Sequence, residues 1–132
     1  MYLIDTSVLV NIFRDKTGIK RKNLENIIQD NPFFLSHFIQ MELLQGAKDE
    51  KEWQLLEIYL DDQDYLTENS SILIKSARIF YDLRCKGLTV RSTIDCCIAQ
   101  LAISYNLILI HDDKDFETIK EVRDLQTIMF KN

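Results

Sequence analysis

The sequence predicts an α/β layer fold with a mainly parallel sheet. Three observations carry that prediction. Short apolar runs of strand length alternate with longer segments of helical periodicity. Two of those runs, residues 2–4 and 107–110, have the character of buried strands. Each delivers acid at its carboxyl end: Asp5 after the first, and Asp112, Asp113 and Asp115 after the second. In open α/β sheets, ligands sit in the crevice at that end of the strands.

The elements follow in order. After the strand at 2–4, a helix over about 7–14 carries Val8, Leu9, Ile12 and Phe13, with a Thr6 or Ser7 hydroxyl as its expected cap. A helix over 19–29 holds Leu24, Ile27 and Ile28, with Lys20, Arg21 and Lys22 near its start, and Asn31-Pro32 stops it. Phe33-Phe-Leu35 reads as a second strand, and Ser36 as the N-cap of a helix to about 47. A helix over 50–60 turns Trp53, Leu56 and Tyr59 or Leu60 inward, and 64–66 is an edge strand.

The helix over 71–86 has Ile74, Ala77, Ile79 or Phe80 and Leu83 as its expected inner stripe, and Gly87 ends it as a C′ glycine. Ser92 or Thr93 opens a helix to about 105, striped by Ile94, Ile98, Leu101 and Ala102. The strand at 107–110, a helix over 114–122 and a last strand at 125–130 complete the chain.

The 132 residues make one domain, 1–132, long enough for a core without staples. A hydrophobic share of 46% and a charged share of 28% are those of a globular protein. No apolar run has membrane-spanning length and no signal-peptide pattern opens the chain. A soluble, cytoplasmic protein with no membrane partner is the expectation. Cys85, Cys96 and Cys97 have no C-x-x-C spacing, and no zinc pattern joins them to His37 and His111. Free thiols are the expected state.

Sixteen basic against twenty-one acidic residues give a net charge of −5. Nucleic-acid binders usually carry a basic footprint. Acids pooled in one metal site would weaken that objection, because the bound ion offsets them.

Four acidic groups stand in suggestive places. Asp5 ends the first strand. Glu42 shares a helix face with Phe38 and Ile39. Asp95 lies one turn into its helix, and Asp113 and Asp115 follow the strand at 107–110. Each has a plain structural alternative. Asp5 can cap a helix, and Glu42 can be solvated. Asp95 completes a Ser-x-x-Asp capping box with Ser92. Asp112, Asp113 and Asp115 can serve a turn and a helix start. Together they read differently. Carboxylates packed together raise one another's pKa, and a hard cation such as Mg²⁺ or Mn²⁺ relieves the repulsion. Metal ions held by carboxylates are a common device for hydrolysing phosphodiesters.

Four blocks, Leu3-Ile-Asp-Thr-Ser-Val-Leu9, Met41-Glu-Leu-Leu-Gln-Gly-Ala47, Val90-Arg-Ser-Thr-Ile-Asp-Cys-Cys-Ile-Ala99 and Leu109-Ile-His-Asp-Asp-Lys-Asp-Phe116, come in this order. The chain resembles, over nearly its whole length, the PIN-domain ribonucleases, and within them the VapC toxins of VapBC toxin–antitoxin systems. The resemblance implies a PIN-like α/β domain with a parallel, about five-stranded sheet flanked by helices. It implies a Mg²⁺- or Mn²⁺-dependent endoribonuclease that hydrolyses RNA through a metal-activated water. By the same resemblance, Asp5, Glu42, Asp95 and Asp113 match the acidic quartet, and Asp115 an accessory acid. Asp5 and Asp95 would hold the principal ion. Ser7, with Thr6 as fallback, matches a supporting polar position, and Arg91 is typical of one branch. A homodimer and a VapB-type antitoxin are the implied partners. His111 departs from the Thr or Ser common at its position, which opens a general-base reading for it.

Cations that can position RNA are Arg14, Lys20, Arg21, Lys22, Lys48, Arg84, Lys86 and Arg91. The alternative readings are a catalytically silent PIN-fold interaction module and, more remotely, a receiver-type phosphoacceptor domain. The intact set of acids argues against the first. The single acid at the end of the first strand argues against the second.

Overall fold

The computed structural model describes residues 1–131. The elements are β1 (Tyr2–Ile4), α1 (Thr6–Arg14), α2 (Ile19–Ile28), β2 (Phe33–Ser36), α3 (His37–Gln45) and α4 (Glu50–Asp61). They continue with β3 (Tyr65–Leu66), α5 (Ser70–Cys85), α6 (Thr93–Ser104), β4 (Ile108–His111), α7 (Lys114–Ile119) and β5 (Thr127–Met129). The five strands form one parallel sheet in the order β3-β2-β1-β4-β5, flanked by the helices. All five expected strands are present, each within a residue or two of its predicted ends.

The N-terminal strand β1 lies at the centre. Leu3 is in register with Phe34 of β2 on one side and with Leu109 of β4 on the other. The chain builds outward through β2 and β3, then returns to lay β4 against the free side of β1. That reversal opens a crevice beyond the carboxyl ends of β1 and β4. Leu3, Ile4, Leu109 and Ile110 are almost fully buried, as expected for a parallel sheet covered on both faces.

Helix α6 is buried at every position from Asp95 to Ala102. A helix apolar on nearly all sides belongs in the interior, and α6 packs against α3, α5, α7 and β4. It carries Asp95 into that interior on its first turn.

Three local expectations are corrected. The cap of α1 is the Asp5 carboxylate, not a hydroxyl: Asp5 is extended and accepts from the Ser7 amide. Trp53 stands 37% exposed, while Leu56 and Leu60 provide the inner face of α4. In α5 the inner stripe is Ile72, Ser76, Ile79 and Leu83, leaving Ile74 67% exposed and Ala77 outside as well. That helix has apolar residues on two stripes, and periodicity alone does not rank them. Ser76 enters the core because its hydroxyl donates to the Ile72 carbonyl at 2.7 Å.

The end of α5 is a Schellman motif. The Gly87 amide donates to the Arg84 carbonyl and the Leu88 amide to the Leu83 carbonyl, both at 2.9 Å. Gly87 has φ +75°, and a Cβ there would meet nothing within 4 Å. Only the backbone opposes a side chain at this position. Gly87→Ala is expected to lower unfolding free energy by about 1–2 kcal/mol and Gly87→Asn by less, as measured by urea denaturation.

Candidate active site

The acids converge at the crevice between β1 and β4. Asp5, Asp95 and Asp115 are 4%, 8% and 6% exposed. Asp95, Asp113 and Asp115 each bring one carboxylate oxygen to within 4.8 Å of the others. Asp5 and Glu42 sit near enough that both charges bear on Asp95.

Each acid is held by its own element. The Ser7 hydroxyl donates to Asp5 Oδ2 at 2.6 Å and accepts from the Asp112 amide at 2.9 Å, so one hydroxyl ties the ends of β1 and β4 together. Thr6 Oγ1 donates to Glu42 Oε1 at 2.9 Å, which orients the half-buried Glu42 of α3 toward α1. Asp113 caps α7, with Oδ1 accepting from the Asp115 amide at 3.0 Å. Arg91 reaches both acids of that turn. Its Nη2 donates to Asp113 Oδ2 at 2.6 Å, and its Nε and backbone amide donate to Asp115 Oδ2 at 3.2 and 3.1 Å.

The Ser92–Asp95 capping box is not what orients Asp95. Ser92 Oγ accepts from the Ile94 amide at 3.1 Å, and among the described residues no hydrogen bond joins the Asp95 carboxylate to the Ser92 amide.

The electrostatics follow from burial and crowding. Burial pushes Asp95 up to about 7, and the charges of Asp5, Asp113, Glu42 and Asp115 add to the effect. Burial likewise raises Asp5 to about 6; hydrogen bonds from Ser7 pull it down and the Glu42 charge pushes it up. Glu42 is raised by burial and by the Asp113 charge, against the pull of Thr6.

Five carboxylates with no soft donor form an oxygen set that suits a hard divalent cation. Among the described residues, the group of three or more metal-capable side chains is Asp95, Asp113 and Asp115, with no thiol in it. Cys96 and Cys97 are buried and reduced, and burial lifts the Cys96 thiol to about 12, which opposes a zinc thiolate.

Other residues fall in place around this centre. Asn11 Nδ2 donates to Asp112 Oδ2 at 2.7 Å, a contact that sequence reading missed. Its one sequence signal is the i,i+4 spacing from Ser7 on α1. His111 is fully buried with both ring nitrogens engaged, which gives it no access as a general base. Glu42 also lines a groove of about 630 Å³ between α1 and the α3–α4 pair, with Arg14, Lys16 and Lys48 along it and Phe13 and Tyr59 in its wall. Lys16 was not among the expected cations. Of those that were, Lys86 donates to the Glu121 carbonyl, Arg84 lies over the Tyr81 ring and Arg21 lines a separate pocket.

A parallel sheet switching at β1, with buried acids crowded at its carboxyl edge, defines a class of proteins that the comparisons identify. The PIN domain family matches residues 2–122. Ribonuclease VapC11 of Mycobacterium tuberculosis is 33% identical over 134 residues, covering 99% of this chain and 100% of that protein. Ribonuclease VapC1 of Methanocaldococcus jannaschii is 28% identical over 120 residues, covering 90% of this chain and 81% of that protein. The structure of VapBC2 from Rickettsia felis, bound to a DNA fragment from its promoter, contains a similar chain, with TM-score 0.79, 22% identity and 96% of each chain covered. VapBC-1 from nontypeable Haemophilus influenzae gives TM-score 0.78 at 22% identity, with 98% and 97% covered. The chain belongs to the PIN domain family, and within it to the VapC group.

The raised acids carry a pH signature. Asp5 and Asp95 bind protons more tightly in the folded, metal-free chain than in the unfolded one. Their contribution to stability is therefore fullest below about pH 4 and is lost as pH rises through about 6 and about 7. Asp95→Asn removes one of the charges. Its metal-free melting temperature at about pH 8 is expected to exceed wild type by several degrees, and the gap to shrink toward about pH 5 in a calorimetric series.

Proposed function

We propose that this chain is a Mg²⁺- or Mn²⁺-dependent endoribonuclease, the toxin of a type II toxin–antitoxin pair acting in the cytoplasm. The observation that carries this reading is the meeting of Asp95, Asp113 and Asp115 within 4.8 Å beside the buried Asp5. Relatives named as VapC ribonucleases support it.

In this reading Asp95, Asp113 and Asp115 would hold the cation, with the carboxylates of Asp5 and Glu42 close enough to bear on Asp95. Bound there, a divalent cation would supply Lewis acidity for phosphodiester hydrolysis, with 5′-phosphate and 3′-hydroxyl ends as the expected products. Ser7 and Thr6 keep Asp5 and Glu42 aimed at the centre. Arg91 steadies Asp113 and Asp115 and presents its remaining N–H donors to a phosphate. The RNA approaches along the groove that Glu42 lines, with Arg14, Lys16 and Lys48 as phosphate contacts.

The antitoxin is a VapB-type protein, in keeping with the VapBC complexes among the structural relatives. A homodimer is the expected assembly, and the exposed apolar residues Leu55 and Ile58 of α4 and Leu73 and Ile74 of α5 are surfaces it could cover.

Cleavage of total cellular RNA by the purified, partner-free protein tests the reading. Cuts are expected with Mg²⁺ or Mn²⁺, none with EDTA, and a fall of at least about 100-fold in Asp95→Asn. Equal activity in wild type and Asp95→Asn would mark the cuts as contamination. A folded, metal-bound wild type that cuts no RNA would favour the silent interaction module. The groove is tested separately by replacing Arg14, Lys16 and Lys48 with Gln. The slope of log affinity against log salt for a single-stranded RNA is expected to flatten by about 2, at roughly 0.7 per lost phosphate contact.

A further inference from the structure

His111 is a buried polar group beside the acidic turn that the proposed chemistry leaves without a task. It ends β4, two residues before Asp113, and its ring has no solvent exposure. Two hydrogen bonds fix the state of that ring. The Asp113 amide donates to Nδ1 at 3.1 Å, so Nδ1 carries a lone pair. The proton therefore sits on Nε2, which donates to Glu117 Oε2 at 2.8 Å.

Glu117 is itself anchored. Its Oε2 accepts from Thr127 Oγ1 at 3.0 Å and its Oε1 from Lys120 Nζ at 2.9 Å. The Phe116 ring lies 5.0 Å from the imidazole, tilted by 53°. The imidazole is thus held by α7, whose Glu117 is tied in turn to β5, on one side and holds the backbone of the acidic turn on the other.

We propose that His111, as the neutral Nε2–H tautomer oriented by Glu117, is a positioning residue that sets Asp113 for cation binding. Orientation passes from β5 and α7 through Glu117 and His111 to the Asp113 amide. Asp113 then turns Oδ1 to the Asp115 amide and Oδ2 outward, where Arg91 meets it. A hydroxyl at this position would be too short to span from the Asp113 amide to Glu117. The device ties the site to the last strand of the sheet. The inference rests on the metal-site reading above for its consequence, but not for its geometry.

Two variants separate positioning from packing. In His111→Asn the side-chain oxygen stands near the place of Nδ1 and can still accept from the Asp113 amide. In His111→Gln the amide nitrogen reaches toward Glu117, and no acceptor is left for Asp113. Mn²⁺ affinity, read by calorimetry without RNA, is expected to stay within about 3-fold of wild type in His111→Asn and to fall about 10- to 100-fold in His111→Gln. Equal losses in both, tracking their melting temperatures, would reduce His111 to packing and overturn the proposal.

Nitrogen NMR of the wild-type ring decides the geometry independently of either variant's folding. A protonated Nε2 with a bare Nδ1 supports the proposal, and a protonated Nδ1 overturns it. A wild type that binds no Mn²⁺ would overturn the cation-binding part together with the metal-site reading. The ring tautomer would then still report whether His111 holds Asp113, so the two failures are distinguishable.

Discussion

The parallel pairing of β1 with β4 is the contact on which the site depends. The two strands are far apart in sequence, and Leu3 lies opposite Leu109 in the middle of the sheet. Because both run the same way, both deliver acid to the same edge. The Ser7 hydroxyl then joins the two strand ends by bonding the Asp5 carboxylate and the Asp112 amide. A shift of one residue in this register would turn the strand side chains to the opposite face and separate the acids. The apolar packing of Leu3, Ile4, Leu109 and Ile110 is what makes such a shift costly.

Against that framework the acids work at cross purposes with folding. Burial and mutual repulsion both disfavour the ionised state of Asp95, while hydrogen bonds from Ser7 and Thr6 offset part of that cost at Asp5 and Glu42. Such a cluster makes sense where charge is useful in itself. Thr6, Ser7 and Arg91 each give a particular carboxylate a partner, so the repulsion does not scatter the group. Local stability is traded here for a concentration of negative charge, a common pattern at functional centres.

Much of the fold was legible in the sequence because strand-length apolar runs and helix caps are local signals. The five strands, the Ser36 and Ser92 caps and the Gly87 stop all follow from residues close in the chain. Strand order does not. Trp53 and Ile74 were misplaced because a helix with two apolar stripes does not declare which one faces in. The acids could be picked out as a set, yet the grouping of Asp95 with Asp113 and Asp115 depends on how α6 docks beside β4. Asp5 was ambiguous between cap and site, and it is both: it caps α1 and joins the acidic edge. The link from His111 to Glu117 was hidden because it requires knowing how α7 folds back beside β4.

The span of the Ser7–Asp112 bond also governs when this protein can become competent. Its partners are 105 residues apart in a chain of 132. During synthesis, Asp5 leaves the ribosome well before β4, because 105 residues separate Ser7 from Asp112. Until then the central strand has β2 on one flank and nothing on the other, and the carboxylates that must meet belong to separate, unassembled pieces. An acidic centre built this way stays dismantled on the nascent chain until β4 has been made and has docked beside β1.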